Sequence, residues 1–276
     1  ITVEQLPDGT PIKFGYRQPG ELRFGAVAAW AEANEVLPES QWEEHDDYAK
    51  YYETSHAQPY SNCTNASFAP MLQACFRSQG IDCPDLSTTY LWAHHNGGNP
   101  DNGAMCRDIA FESMSAGLPS LAKFPESQYR LPRGGVSQDV IADAKQHVSL
   151  EVYQCLTFED VASALTRRFF VYHGFVLGSR FFNTGKDGIV PAWDRSLANG
   201  HAMASRGLRK INGIWRTVTP NTWGPSFGAD GVGFIDRSYF WDQMPYRGSS
   251  FVNLDAYAVR AVKANATVAE LPAGKD

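Results

Sequence analysis

No apolar run in this chain approaches the roughly 20 residues a helix needs to cross a bilayer, so no membrane span is expected. Nor is there an excess of positive charge. Lys and Arg number 24 against 30 Asp and Glu, a net charge of −6. Nucleic-acid binding demands the opposite, a basic face. Zinc-ligand spacing is missing too: His94 and His95 are adjacent rather than on one helix face. No metal and no other cofactor is expected. The chain carries no internal repeat and no low-complexity tract.

Cysteine is scarce and odd in number: Cys63, Cys75, Cys83, Cys106 and Cys155. Five cannot all pair, and the count is low for a secreted disulfide scaffold. A reducing compartment (cytoplasmic), or association with a virion, is therefore expected over secretion. Three N-x-S/T sequons occur, at Asn62, Asn65 and Asn265; two flank Cys63, and all read as chance matches. The first residue is Ile1, with neither Met nor an apolar signal region, which reads as a processed or trimmed product.

What is present is ample core material: 43% hydrophobic residues, 13% aromatic and seven Trp. That suffices for one large domain or two closely packed lobes. Residues 1–40 combine turn formers ("LPDGTPIKFGYRQPG") with a short helical pattern and read as an N-terminal extension. The main domain is expected over 41–250, with a helical lobe over about 41–135 and a β lobe over about 136–250; 251–276 reads as a tail. Helical spacing marks Thr64–Ser78, Leu86–His94 and Met105–Ala116. After the Pro/Gly-rich stretch "FPESQYRLPRGG", the pattern changes. "HVSLEVYQCL" alternates, "FEDVASALTRR" is helical, and "FFVYHGFVL" is a buried-strand run. "HAMASRGLRKINGIWRTVTPN" reads as two strands joined at Asn212–Gly213, and "GVGFIDRSYF" as another. Helices first and an antiparallel sheet after predict an α+β fold.

Cys63, in "SNCTNASFAP", stands where a helix begins. A cysteine nucleophile works as its thiolate, which a helix N-terminus and a nearby imidazolium both favour. The imidazole must itself be held in one tautomer by a third group. Of seven histidines, His173 lies in the apolar run and reads as core, and His94 and His95 sit at a helix end. His201 follows "LANG" at the mouth of a strand, 138 residues after Cys63 (201 − 63). Asn221 ends the next strand, so a hairpin turning near Asn212 sets His201 and Asn221 side by side.

The ordered set "GHAMASRGL…GIWRTVTPNTWGPSFGADGVGFI", "LSTTYLW", "DNGAMCRDIAF" and "FEDVASALTRRFFVYHGFVLGSRFF" resembles the papain-like cysteine peptidases, and "CTNASFAPMLQ" resembles the helix start of their bacterial and phage-type relatives. The resemblance spans roughly Trp42–Phe240. It implies a helical lobe and an antiparallel β-barrel-like lobe with a cleft between them. It also implies a thiol peptidase or related acyl hydrolase acting on a peptide or protein. By resemblance the triad is Cys63, His201 and Asn221, with Trp223 covering the His–Asn pair. Asn102, Gly103 and Ala104 match the stretch whose backbone pairs with bound peptide.

The family has two cysteines near this point, and Cys63 matches either the structural one or the nucleophile three residues on. As the nucleophile, it leaves Tyr60 and Asp101 where the family's disulfide would stand, so both halves are absent together. The family's oxyanion Gln lies six residues before the nucleophile; here that position is Ala57, and Gln58 is five before. Pro70, inside the expected helix, should kink it at a cost of about 3 kcal/mol if uncompensated. The alternative is a structural or interaction protein on the same fold, for example a phage virion component. Residues 1–40 or 251–276 would then offer a docking place for an assembly partner.

Overall fold

The computed structural model describes residues 5–6, 8–9, 12–14, 27–52, 57–130, 135–196, 199–240, 244–246, 250–252 and 255–261. In chain order the helices are α1 (Trp30–Ala33), α2 (Cys63–Ser78), α3 (Tyr90–Ala93), α4 (Cys106–Ser113), α5 (Gln138–Ala144) and α6 (Phe158–Thr166). The strands are β1 (Ser149–Cys155), β2 (Phe170–Val176), β3 (Gly200–Ser205), β4 (Gly207–Ile211), β5 (Ile214–Pro220), β6 (Val232–Asp236), β7 (Met244–Tyr246), β8 (Ser250–Val252) and β9 (Asp255–Ala261). The sheets run β1-β9-β2-β3, β4-β5-β6 and β7-β8, each antiparallel. The architecture is α+β.

The four-stranded sheet divides the core in two. Successive side chains of a strand point to opposite faces. Tyr172, Ala202, Ala204, Tyr257 and Val259 accordingly join the cluster around α2 and α4. Val171, Phe175, Met203, Ala256 and Ala258 join the cluster around α6 and the aromatic residues of the β lobe. This two-sided burial is why "FVYHGFV" is apolar without alternation.

Helix α2 is the axis of the helical cluster and lies against β3. It runs on through Pro70. Pro70 has no N–H for the Ala66 carbonyl. Nearby, Tyr52 Oη donates to the Ser67 carbonyl at 3.3 Å. Capping decides several boundaries. Thr157 caps α6 by accepting from Asp160 N at 3.1 Å, while the Asp160 carboxylate takes the Thr157 N–H, a reciprocal box. At the hairpin, Asn212 (φ 51°) and Gly213 (φ 77°) both adopt positive φ, as a tight β4–β5 turn requires.

Three expectations are corrected. Only Tyr90–Ala93 of Leu86–His94 is α-helix, because Ser87, Thr88 and Thr89 form a turn held by the Asn65 side chain. Asn65 Nδ2 donates to Ser87 O, and Asn65 Oδ1 accepts from Leu91 N and Trp92 N. The single strand expected from His201 onward breaks at Arg206, whose guanidinium binds Asp46 at 2.7 and 3.1 Å; β3 belongs to one sheet and β4 to another. The segment set apart as a tail from 251 supplies β9, which lies between β1 and β2. Its Ala256 and Ala258 are fully buried in the core but are small, so the strand lacks a strong apolar signature. On the N-terminal side of the expected boundary, Trp30 is fully buried against Tyr153 and Phe169.

Candidate functional site

His201 is the second residue of β3, and Asn221 directly follows β5. The β4–β5 hairpin returns the chain so that His201 Nε2 and Asn221 Oδ1 stand 2.8 Å apart. The amide oxygen also accepts from Thr222 N at 2.7 Å, which fixes the amide's orientation. An acceptor at Nε2 places the proton there, leaving Nδ1 as the basic nitrogen. Nδ1 has no hydrogen-bond partner among the described residues. The Trp223 indole stacks on the imidazole at 4.5 Å between centroids and 28° between planes. His201 is fully buried, and this burial lowers its pKa to about 4, with the Asn221 hydrogen bond working in the opposite direction.

Cys63 is the first residue of α2 and is fully buried. It shares its apolar cluster with Ala202, the residue after His201. Asn62 precedes it without capping the helix through its side chain; Nδ2 instead donates to Thr88 O at 2.9 Å. Asn62 and Asn65 are wholly buried, so neither sequon offers a glycan a place in the folded chain. The third, Asn265, lies outside the described residues.

Gln58 is buried on the turn that follows Asn221. Its N–H donates to Thr222 O at 2.8 Å, and Oε1 accepts from Thr222 Oγ1 at 2.5 Å. Its Nε2 donates to Tyr60 O at 2.8 Å. Ala57 pairs with Trp223 as an isolated antiparallel bridge. Gln58, His201, Asn221, Thr222 and Trp223 thus form one connected unit.

Asn102, Gly103 and Ala104 lie between α3 and α4. Asn102 O accepts from Trp92 Nε1 at 2.7 Å, and Asn102 Nδ2 donates to Asn96 O at 2.9 Å. The loop reaches the segment before Cys63 through Ser61 N, which donates to Pro100 O at 2.9 Å. At the foot of this loop Glu112 takes hydrogen bonds from His94 Nδ1 (2.9 Å) and His95 Nε2 (2.8 Å). Burial opposes its ionisation, but the two histidines outweigh that and hold its pKa down to about 2. None of the five cysteines is joined in a disulfide, and all are buried. Tyr60 packs its ring on Trp92 (5.9 Å, 12°) and Tyr129 (4.5 Å).

Two neighbours of the His–Asn pair escape a reading of the sequence. Phe14 stands edge-on to His201 at 6.5 Å, and Lys13 O accepts from Trp223 Nε1 at 3.2 Å. Lys13 and Trp223 are 210 positions apart, and no local pattern links them. Thr222, which holds both Gln58 and the turn, lies inside the recognised "PNTWG" and was findable from its place beside Asn221.

The sequence matches no family model and no curated protein. Solved structures do match. Xylellain, a cysteine protease from Xylella fastidiosa, superimposes with a TM-score of 0.68 at 15% identity, covering 91% of this chain and 97% of that one. Procathepsin B S9 from Trypanosoma congolense gives 0.59 at 17%, covering 90% and 87%. The bromelain protease from Ananas comosus gives 0.57 at 16%, covering 82% and 100%. At these identities the likeness establishes the fold: this chain is folded as the papain-like cysteine proteases are.

Proposed function

We propose that the chain is a thiol peptidase or related acyl hydrolase, with Cys63 as nucleophile, His201 as general acid–base and Asn221 as the group that orients the imidazole. The observation that carries this is the His201–Asn221 hydrogen bond beneath Trp223, with Nδ1 left over, on a strand packed against the helix that Cys63 begins. The Cys63 thiol passes its proton to Nδ1, and the thiolate attacks the substrate carbonyl. His201 then protonates the leaving amine, and water hydrolyses the thioester. The Cys63 backbone N–H, at the start of α2, is the main-chain donor assigned to the oxyanion in this reading. The second hydrogen of Gln58 Nε2 is the side-chain candidate for the same role. Burial that disfavours an isolated imidazolium at His201 makes the thiolate the natural counter-charge: neither ion is expected without the other.

The proposal is tested by labelling with iodoacetamide or an epoxide, mapped by mass spectrometry. Selective, pH-dependent modification of Cys63 over the other four cysteines is expected. Failure to label Cys63, together with no turnover across a broad peptide library, would replace the enzyme with a structural protein on the same fold.

A further inference from the structure

Three rings are stacked at the His–Asn pair. Phe182 lies parallel to Trp223 (5.8 Å, 9°), and Trp223 lies over His201 (4.5 Å, 28°). Phe14 stands perpendicular to all three, at 6.1 Å from Phe182, 5.8 Å from Trp223 and 6.5 Å from His201, with angles of 83°, 84° and 86°. The preceding carbonyl, that of Lys13, holds the Trp223 indole N–H at 3.2 Å. The same segment is rooted in the β-lobe core: Leu6 and Ile12 are each only 6% exposed and belong to the apolar cluster that holds Trp223 and Phe182.

We infer that Phe14 is a positioning residue for His201: it closes the side of the Phe182–Trp223–His201 stack and, with the Lys13 carbonyl, fixes the indole over the imidazole. This rests on the hydrolase reading above. Phe181 (5.8 Å) and Phe227 (5.6 Å) also stand edge-on to the indole, and residues 13 and 14 add its hydrogen bond and an edge contact that reaches the imidazole as well. A dry His–Asn hydrogen bond is electrostatically stronger than one open to water. Phe14 therefore keeps the imidazole in one tautomer and one plane. Two observations distinguish this from a removable cover. The segment's apolar side chains are part of the core, and its backbone carries a hydrogen bond that Trp223 would otherwise lack. The titratable group that acts on the ring by charge is His173 on β2; Cys63 begins the helix packed on β3, and Lys13 belongs to the segment itself. All are retained in the variants below.

The test is histidine-ring NMR of the full chain over a pH series, with the His201 signal identified by its loss in His201→Gln. Phe14→Ala should raise the His201 midpoint by about one pH unit, a tenfold change in the ratio of its two forms, because water reaches the ring. Phe14→Leu should fall between, and Ile12→Ala, in the same segment but with no ring to set against the imidazole, should match the wild type. On a peptide substrate, Phe14→Ala should lower kcat with KM little changed. A wild-type His201 midpoint in Phe14→Ala overturns the inference; should that variant not fold, a wild-type midpoint in Phe14→Leu does so. A rise in kcat/KM for either variant also overturns it, since that is the behaviour of a cover over the site. The NMR readout does not need turnover, so a chain that fails the Cys63 labelling test still reports on Phe14.

Discussion

Two cysteines of this molecule begin helices, and both are fully buried: Cys63 at the start of α2 and Cys106 at the start of α4. By helix dipole alone they are equivalent. They differ in the strand beneath. Helix α2 lies on β3, which carries His201, whereas α4 lies on β9, which carries the buried carboxylate of Asp255. Burial first, and then the Asp255 charge, push the Cys106 thiol well above its ordinary pKa. A helix N-terminus is thus not enough to make a nucleophile. The neighbour must be a base that can become a cation: β3 beneath α2 carries His201, whereas His173 on β2, which α4 also meets, turns its ring to Phe175 and Phe240 on the other face of the sheet.

The sharpest way to break the comparison is to remove each sulfur. Cys63→Ala is expected to abolish peptide hydrolysis and iodoacetamide labelling, while Cys106→Ala leaves both, measured by turnover and peptide mapping. Loss of labelling in the Cys106 variant instead would reverse the assignment. Next in size is Gln58→Ala, where loss of one oxyanion donor should lower kcat about 10²–10³-fold with the fold retained by circular dichroism. Unchanged kcat would remove Gln58 from the oxyanion site.

The buried histidines of the two lobes give a third, smaller contrast. His201 and His173 are held neutral by burial, down to about 4 and about 3, and His173 also feels the nearby His201. The unfolded chain binds these protons near pH 6.5. Below that value the unfolded state therefore holds more protons than the folded one, and stability falls as pH drops, by up to about 1.4 kcal/mol per pH unit for each histidine. Glu112, depressed to about 2 between His94 and His95, adds its own loss only as pH falls below about 4.5 and through that value. Urea midpoints at pH 8, 6 and 5 should show the decline, and His173→Gln should flatten it by about half; an unchanged slope would place the effect elsewhere. The smallest expected effect is that of Tyr172→Phe. The Tyr172 hydroxyl touches both helix starts, donating to Thr64 O at 2.9 Å and hydrogen-bonding Cys106. Its removal should cost about 1 kcal/mol in urea unfolding without altering the pH dependence of Cys63 labelling.

The α+β class, the helix begun by Cys63 and the hairpin that joins His201 to Asn221 were legible in the sequence. Each is written in local terms: a 3.6-residue period, an alternating run, or an Asn-Gly turn whose positive φ values few other residues accept. The turn explains why the two segments return toward each other, but the contact itself needed the tertiary structure: β3, which carries His201, leaves the hairpin's sheet at Arg206, and the β4–β5 register carried on would set Asn221 opposite Ala204.

What only the tertiary structure decided depends on contacts far apart in the chain. The strand after His201 breaks at Arg206 because Asp46, 160 positions earlier, holds the guanidinium. Strand β9 is central although its alanines look unremarkable, because its place is set by pairing with β1 and β2, more than 80 positions earlier, and not by a pattern of its own. Gln58 is committed to Thr222 across 164 positions, and Phe14 meets His201 from the far end of the chain. None of these leaves a periodic trace, because packing selects for volume and reach at single positions, whereas local structure repeats its requirement turn after turn.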